Sequence, residues 1–148
     1  MVVKAGGYAD ASDFAIFDWS PSFNGFTSLG VGTTVEGWYT NRAGLIDAGL
    51  YVVFAGSPVI ASTIYVDLPV ACDTFGIQEC LGSWVFRDNG STLHYAGSVG
   101  VWDAGGTQAS FAGAWDATAT RDRIKHTIPF TVAATDILSA RLSYRAAS

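Results

Sequence analysis

Short runs of alternating apolar and polar residues, cut off every roughly 8–12 positions by Gly, Asn, Asp or Pro, dominate this sequence and restrict it to antiparallel β architectures. In TTVEGWYTN (33–41), Val35, Gly37 and Tyr39 share one face while Thr34, Glu36 and Trp38 share the other. Over 45–54, Ile46, Ala48, Leu50, Val52 and Phe54 line one face of a longer strand. The opposite face, with Asp47, Gly49, Tyr51 and Val53, is more apolar than plain solvent favours, so a partner is expected to cover it. A strand over 61–68 alternates Ile64, Val66 and Leu68 with Thr63, Tyr65 and Asp67 until Pro69, which cannot continue a central ladder. SWVFR and STLHYAG flank Asp88-Asn89-Gly90 and read as a hairpin, because Asn and Gly tolerate the positive φ of tight turns. After the turn at Asp103-Ala104-Gly105-Gly106, the run TQASFAGAW places Phe111, Gly113 and Trp115 on one face, and strands near 126–132 and 137–144 follow. No helix of useful length is visible. About eight antiparallel strands predict an all-β, jelly-roll-like sandwich over 19–148. Residues 1–18, with Phe14, Ile16, Phe17 and the adjoining Trp19 as anchors, are expected to form an N-terminal arm or attachment segment; a sheet-edge strand is the alternative.

A chain of 148 residues fits one domain and buries a core without needing a metal or a disulfide framework. Only 14% of the residues are charged, against about 25% in ordinary soluble domains. So little charge predicts that other subunits cover part of the surface. The net charge of −5, with Lys4 and Lys125 the only lysines, argues against nucleic acid as a partner. Arg121, Arg123 and Lys125 are interrupted by Asp122 and read as a solvated turn. No apolar stretch approaches the ~20 residues that span a bilayer, and MVVKAGGYADASDF lacks a signal-peptide core; no membrane association and no secretion tag are expected.

Chemistry-bearing residues are few. Cys72 and Cys80 have no metal-ligand spacing; either a disulfide closes the loop between them or both stay as thiols. His94 and His126 stand outside any catalytic motif and read as structural or surface residues. Asp88, Asp103, Asp122 and Asp136 occupy turn positions that capping explains, whereas Glu36, Asp47 and Asp67 lie mid-strand. Asp47 and Asp67, if they shared a sheet face, would be the pair for a glycan-cleaving site, which is a remote alternative. No catalytic residue, cofactor or metal is expected. Rings are abundant: Trp38, Trp84, Trp102 and Trp115 with Tyr39, Tyr51, Tyr65 and Tyr95 could fill core and interfaces or stack on sugars. Trp38, Tyr51, Tyr65, Trp102 and Trp115 are the candidates for glycan or subunit contact.

Trp19-Ser20-Pro21-Ser22-Phe23, then GVGTTVEGWYTNRAGLIDAGLYVVF and IYVDLPV, resemble the C-terminal β-sandwich domain of minor tail proteins and tail fibres of phages that infect actinobacteria. The closing stretch IPFTVAATDIL followed by LSYRAA resembles the family's ending, with Val132 where the family often has Trp and Arg145 where it often has Glu. The resemblance spans about 19–147 and implies a non-enzymatic virion structural protein, often trimeric, attached to other virion proteins and presenting loops such as 72–80 and 103–106 to a host cell-wall glycan. It implies localisation in the virion after synthesis in the host cytoplasm. A decoration protein on the capsid shell is the alternative role.

Overall fold

A computed structural model of the chain describes residues 15–73, 80–101, 103–115, 121–125 and 129–147, without the side chains of Cys80, Ala114, Trp115, Arg121 and Asp122. Among the described residues there is no helix. Ten strands are present: β1 (Ile16–Trp19), β2 (Phe23–Ser28), β3 (Thr34–Arg42), β4 (Leu45–Val53), β5 (Val59–Asp67), β6 (Cys80–Asp88), β7 (Leu93–Val101), β8 (Gln108–Trp115), β9 (Arg121–Arg123) and β10 (Ile137–Arg145). All pair antiparallel in one sheet of order β1-β3-β4-β10-β6-β7-β8-β5-β2. The short β9 runs beside β8, and the residue after it, Ile124, donates to Phe111 O and accepts from Ile64 N, wedging between β8 and β5 where these diverge.

Consecutive strands β1 and β2 stand at opposite ends of this order, yet only Ser20, Pro21 and Ser22 connect them. Such a link reaches about 14 Å at most between its flanking Cα atoms. The sheet must therefore curl until its two edges approach. Alternation fixes which face turns inward: Ile46, Ala48, Leu50 and Val52 on β4 and Leu138, Ala140, Leu142 and Tyr144 on β10 are buried. They join Trp84, Phe86, Val99, Phe111, Ile64 and Val66 from the far half in one core. Rings of Phe26, Phe54, Phe86, Phe130 and Tyr95 follow one another across one end, stacked or tilted, with centroids 4.7–5.8 Å apart. At the other end the 68–73 segment crosses from β5 to β10, bonding to Gly106, Thr107 and Arg145, while Tyr144 Oη donates to Val70 O at 2.9 Å. Burial raises the pKa of that phenol, so it stays a donor at any physiological pH.

The all-β, antiparallel expectation is met, while the strands number ten and belong to a single curled sheet. Pairing runs unbroken from β6 through β7 to β8. Ile16, Phe17 and Asp18, the last residues of the segment expected to be an arm, pair with Trp19 against β3 as an edge strand, the alternative reading, and Phe17 stacks on Tyr39 at 5.1 Å. Residues 1–14 lie outside the described residues. The turn Gly30-Val31-Gly32-Thr33 before β3 has a mechanical reason. Gly30 and Gly32 have φ near +90°, and a Cβ at Gly30 would collide with Ala55 O, while Thr33 Oγ1 accepts from Ala55 N at 3.0 Å.

Asp88, Asp103 and Asp136 behave as turn caps, whereas Asp122, also expected in a turn, lies in β9 with its side chain outside the described residues. Asp88 accepts from Gly90 N, Ser91 N and Ser91 Oγ, and the Ser91 hydroxyl contributes most to holding its carboxyl below the usual range. Burial pushes Asp103 up, but bonds from Gln108 N, Thr107 Oγ1 and Thr107 N outweigh it, and the net shift is downward. A depressed folded-state pKa contributes stability that is present above the unfolded value near 3.9 and is lost as pH falls through the folded one. The urea midpoint should thus hold from pH 7 to about 5 and fall below pH 4. Each of these solvent-screened groups contributes a few tenths of a kcal/mol, and Asp88→Ala combined with Asp103→Ala should flatten that part of the pH profile.

Candidate functional site

The outward face of β3, β4, β10 and β6 carries the best-formed surface features. Ala43 and Gly44, both at positive φ, close a two-residue hairpin between β3 and β4, with Asn41 Oδ1 accepting from Gly44 N at 3.0 Å. That turn sets Trp38 opposite Gly49, and β10 sets Arg141 beyond it. A Cβ at Gly49 would lie 2.8 Å from the Trp38 indole, so only glycine lets the ring rest on the β4 backbone. The Arg141 guanidinium carbon sits 4.6 Å from the ring centroid, in cation–π contact.

This Trp38–Arg141 ridge separates two depressions. One, of about 370 Å³, is bordered by Glu36, Tyr51, Ser139 and Val85; the other, of about 670 Å³, by Ile16, Thr40, Arg42, Asp47 and Ser143. Ser83 lies between them, lining both. Ser83 on β6 and Ser139 and Ser143 on β10 carry short outward side chains, which leave space above the sheet beside the longer Trp38 and Arg141. Both volumes fall within the range of small-molecule sites.

Of the aromatic candidates, only Trp38 and Tyr51 meet here, Tyr51 being 41% exposed. Tyr65 faces outward from β5 on the other half of the curl, Trp102 lies outside the described residues, and Trp115 ends β8 with its side chain undescribed. Trp84 turns inward and is buried. The outward side of β4 departs from the apolar face expected of it: Trp38 covers Gly49, Asp47 is half-buried, and serines and charged residues from β3 and β10 flank the strand. Asp47 and Asp67 are not brought together. Both point outward, but β10, β6, β7 and β8 separate their strands, and Asp67 is bonded to Gln108 Nε2 at 2.9 Å. Two-carboxylate hydrolysis needs separations of about 5–9.5 Å. Cys72 is buried, pairs with Ala146 as an isolated bridge, and has its Sγ 3.4 Å from Asp73 O; the choice between a disulfide and two thiols depends on the Cys80 side chain, which lies outside the described residues. Of the two loops expected to face outward, 74–79 lies outside the described residues, while 103–106 exposes Ala104 and Gly105 and buries Gly106. His94 is exposed on β7; His126 lies outside the described residues.

Comparisons with protein-family models, with curated proteins and with solved structures find no match. Geometry therefore carries the functional reading. Sequence reasoning missed Thr40, Ser83, Ser139 and Arg141 as site residues. The signal for Arg141 was present: once Ala43-Gly44 is taken as the turn, counting back pairs Trp38 with Gly49, and the alternation of 137–145 puts Ser139, Arg141 and Ser143 on the side away from the core.

Proposed function

We propose that this chain is a non-enzymatic structural protein of a phage virion, similar in role to a tail-fibre or minor tail protein, which binds host-surface glycan through the outward face of β3, β4, β10 and β6. The observation that carries the reading is the Trp38–Arg141 ridge with a polar depression on either side. A half-buried ring bounded by hydroxyls, carboxylates and a guanidinium offers a sugar chain the apolar edge that Gly49 and Arg141 leave uncovered, and partners for its hydroxyls. The separation of Asp47 from Asp67 supports binding without cleavage. On this reading the curled sheet takes the place of the family's jelly-roll-like sandwich. The protein works as a homotrimer, in which repeated weak sites gain avidity. Exposed Ile16, Phe17, Val31, Leu45, Val59 and Leu93, spread over several strands and turns, are among the apolar surface available to subunits or other virion proteins.

The native protein, with an expected mass of three chains by light scattering, should bind purified host wall polysaccharide. Trp38→Ala should weaken that binding by about 2 kcal/mol per site, roughly thirtyfold, while circular dichroism stays unchanged. No binding by the native protein, as for a shell decoration protein, or undiminished binding by the variant, would overturn the proposal.

A further inference from the structure

Among the described residues, Thr40 Oγ1 is a buried side-chain oxygen without a hydrogen-bond partner. Thr40 is 6% exposed, yet it borders the larger depression, beside Asp47, which it faces across the β3–β4 ladder. Buried hydroxyls are nearly always bonded, and an orphan beside an open cavity points to something that completes it there. Leaving it unpaired costs stability that valine, its isostere, would not.

We propose that this depression is a subsite for one unit of an uncharged saccharide, with a ring hydroxyl bonded to Thr40 Oγ1, which a shift of the lining side chains uncovers as the ligand enters. Asp47 would accept from a neighbouring hydroxyl, and Ser143 and Arg141 would bond the remaining oxygens. Trp38 forms the wall shared with the second depression, so a chain of two or more units would cross the ridge. The uncharged class follows from the charge balance: Glu36 and Asp47 across the two depressions are matched by Arg42 and Arg141. A hydroxyl that both donates and accepts, next to a carboxylate that only accepts, selects a vicinal diol over a carboxylate. The inference rests on the glycan-binding reading and adds the ligand class and the residue that discriminates.

The test compares the full-length native protein with Thr40→Val, Thr40→Ser and Trp38→Ala. Binding is measured by saturation-transfer NMR and calorimetry against soluble oligosaccharides of two to four units, composed of neutral hexose, N-acetylhexosamine or hexuronic acid. The native protein should bind a neutral oligosaccharide. Thr40→Val should weaken binding about tenfold or more while its thermal midpoint stays equal or rises, and Thr40→Ser should bind within about threefold of the native protein. Native-like affinity in Thr40→Val, with binding lost in Trp38→Ala, would overturn the Thr40 subsite and leave the glycan reading standing. Preference for the hexuronic acid would overturn the uncharged class. A change of oligomeric mass in Thr40→Val without a change in sugar affinity would assign the hydroxyl to a subunit contact and overturn the subsite. Absence of binding to every oligosaccharide and to wall polysaccharide would remove both readings.

Discussion

Trp84→Ala is expected to destabilise the protein by about 3–5 kcal/mol, enough to lower the thermal midpoint by roughly 10 °C or more in a domain of this size. Trp84 is the largest of the fully buried side chains and sits on the inward face of β6, opposite Ala140 of β10 and Gly97 of β7. Its Nε1–H donates to Ala112 O at 2.9 Å, reaching past β7 to a carbonyl of β8. Gly97 makes that reach possible, because a Cβ there would stand 2.7 Å from the indole nitrogen. Alanine would open a cavity and orphan the carbonyl together. Trp84→Phe keeps most of the apolar volume and should cost about 1–2 kcal/mol, mainly the lost hydrogen bond. Urea unfolding of the pair separates packing from bonding; a loss below about 1 kcal/mol for Trp84→Ala would show that the indole does not bind the curl together.

Asp136→Ala should cost about 2–4 kcal/mol, an unusual penalty for a residue in a turn. Asp136 is 1% exposed, and its carboxylate accepts from Asn89 N at 2.9 Å and Ala133 N at 2.7 Å. Its backbone N–H meets Ala133 O, while its own carbonyl accepts from Phe54 N at 3.0 Å. One side chain thus ties the β6–β7 hairpin tip to the segment entering β10, and Asn89 Nδ2 adds a bond to Thr135 Oγ1. Removing the carboxylate breaks two hydrogen bonds from backbone N–H groups, those of Asn89 and Ala133, to a buried acceptor, whereas Asp136→Asn keeps one acceptor and should cost about half as much. Hydrogen exchange at Asn89 and Ala133 should quicken in both variants before global stability is lost. Unchanged exchange at those amides would refute the link.

Strands and their faces were legible in the sequence where the alternation was regular. The 33–41, 45–54 and 61–68 runs and the Asp88-Asn89-Gly90 hairpin all appear, with Phe86 opposite Tyr95 as the turn requires. β2 escaped notice because FNGFTS has no clean period; Gly25, at φ +92°, kinks it, and its register against β5 shifts twice. Whether strands split into two sheets depends on pairings between distant segments, such as β10 inserting between β4 and β6, and local pattern does not encode these. The same reason hid which tryptophan was which. Trp38 and Trp84 sit in similar alternating runs, and only their cross-strand neighbours send one outward and the other into the core. Thr40 looked like an ordinary strand threonine; its orphaned hydroxyl is a property of the packed sheet alone.

The two described ends of the chain enter the sheet very differently. Ala15 leads into β1, a four-residue strand held along one side only, whereas Ala147 follows the nine-residue β10, which is bonded on both sides in the middle of the sheet. A pulling force arriving from the N-terminal side would peel a short edge. The same force arriving from the C-terminal side would have to shear two long ladders at once. Mechanically the molecule is therefore a one-sided anchor, able to carry tension through its last strand and prone to yield at its first.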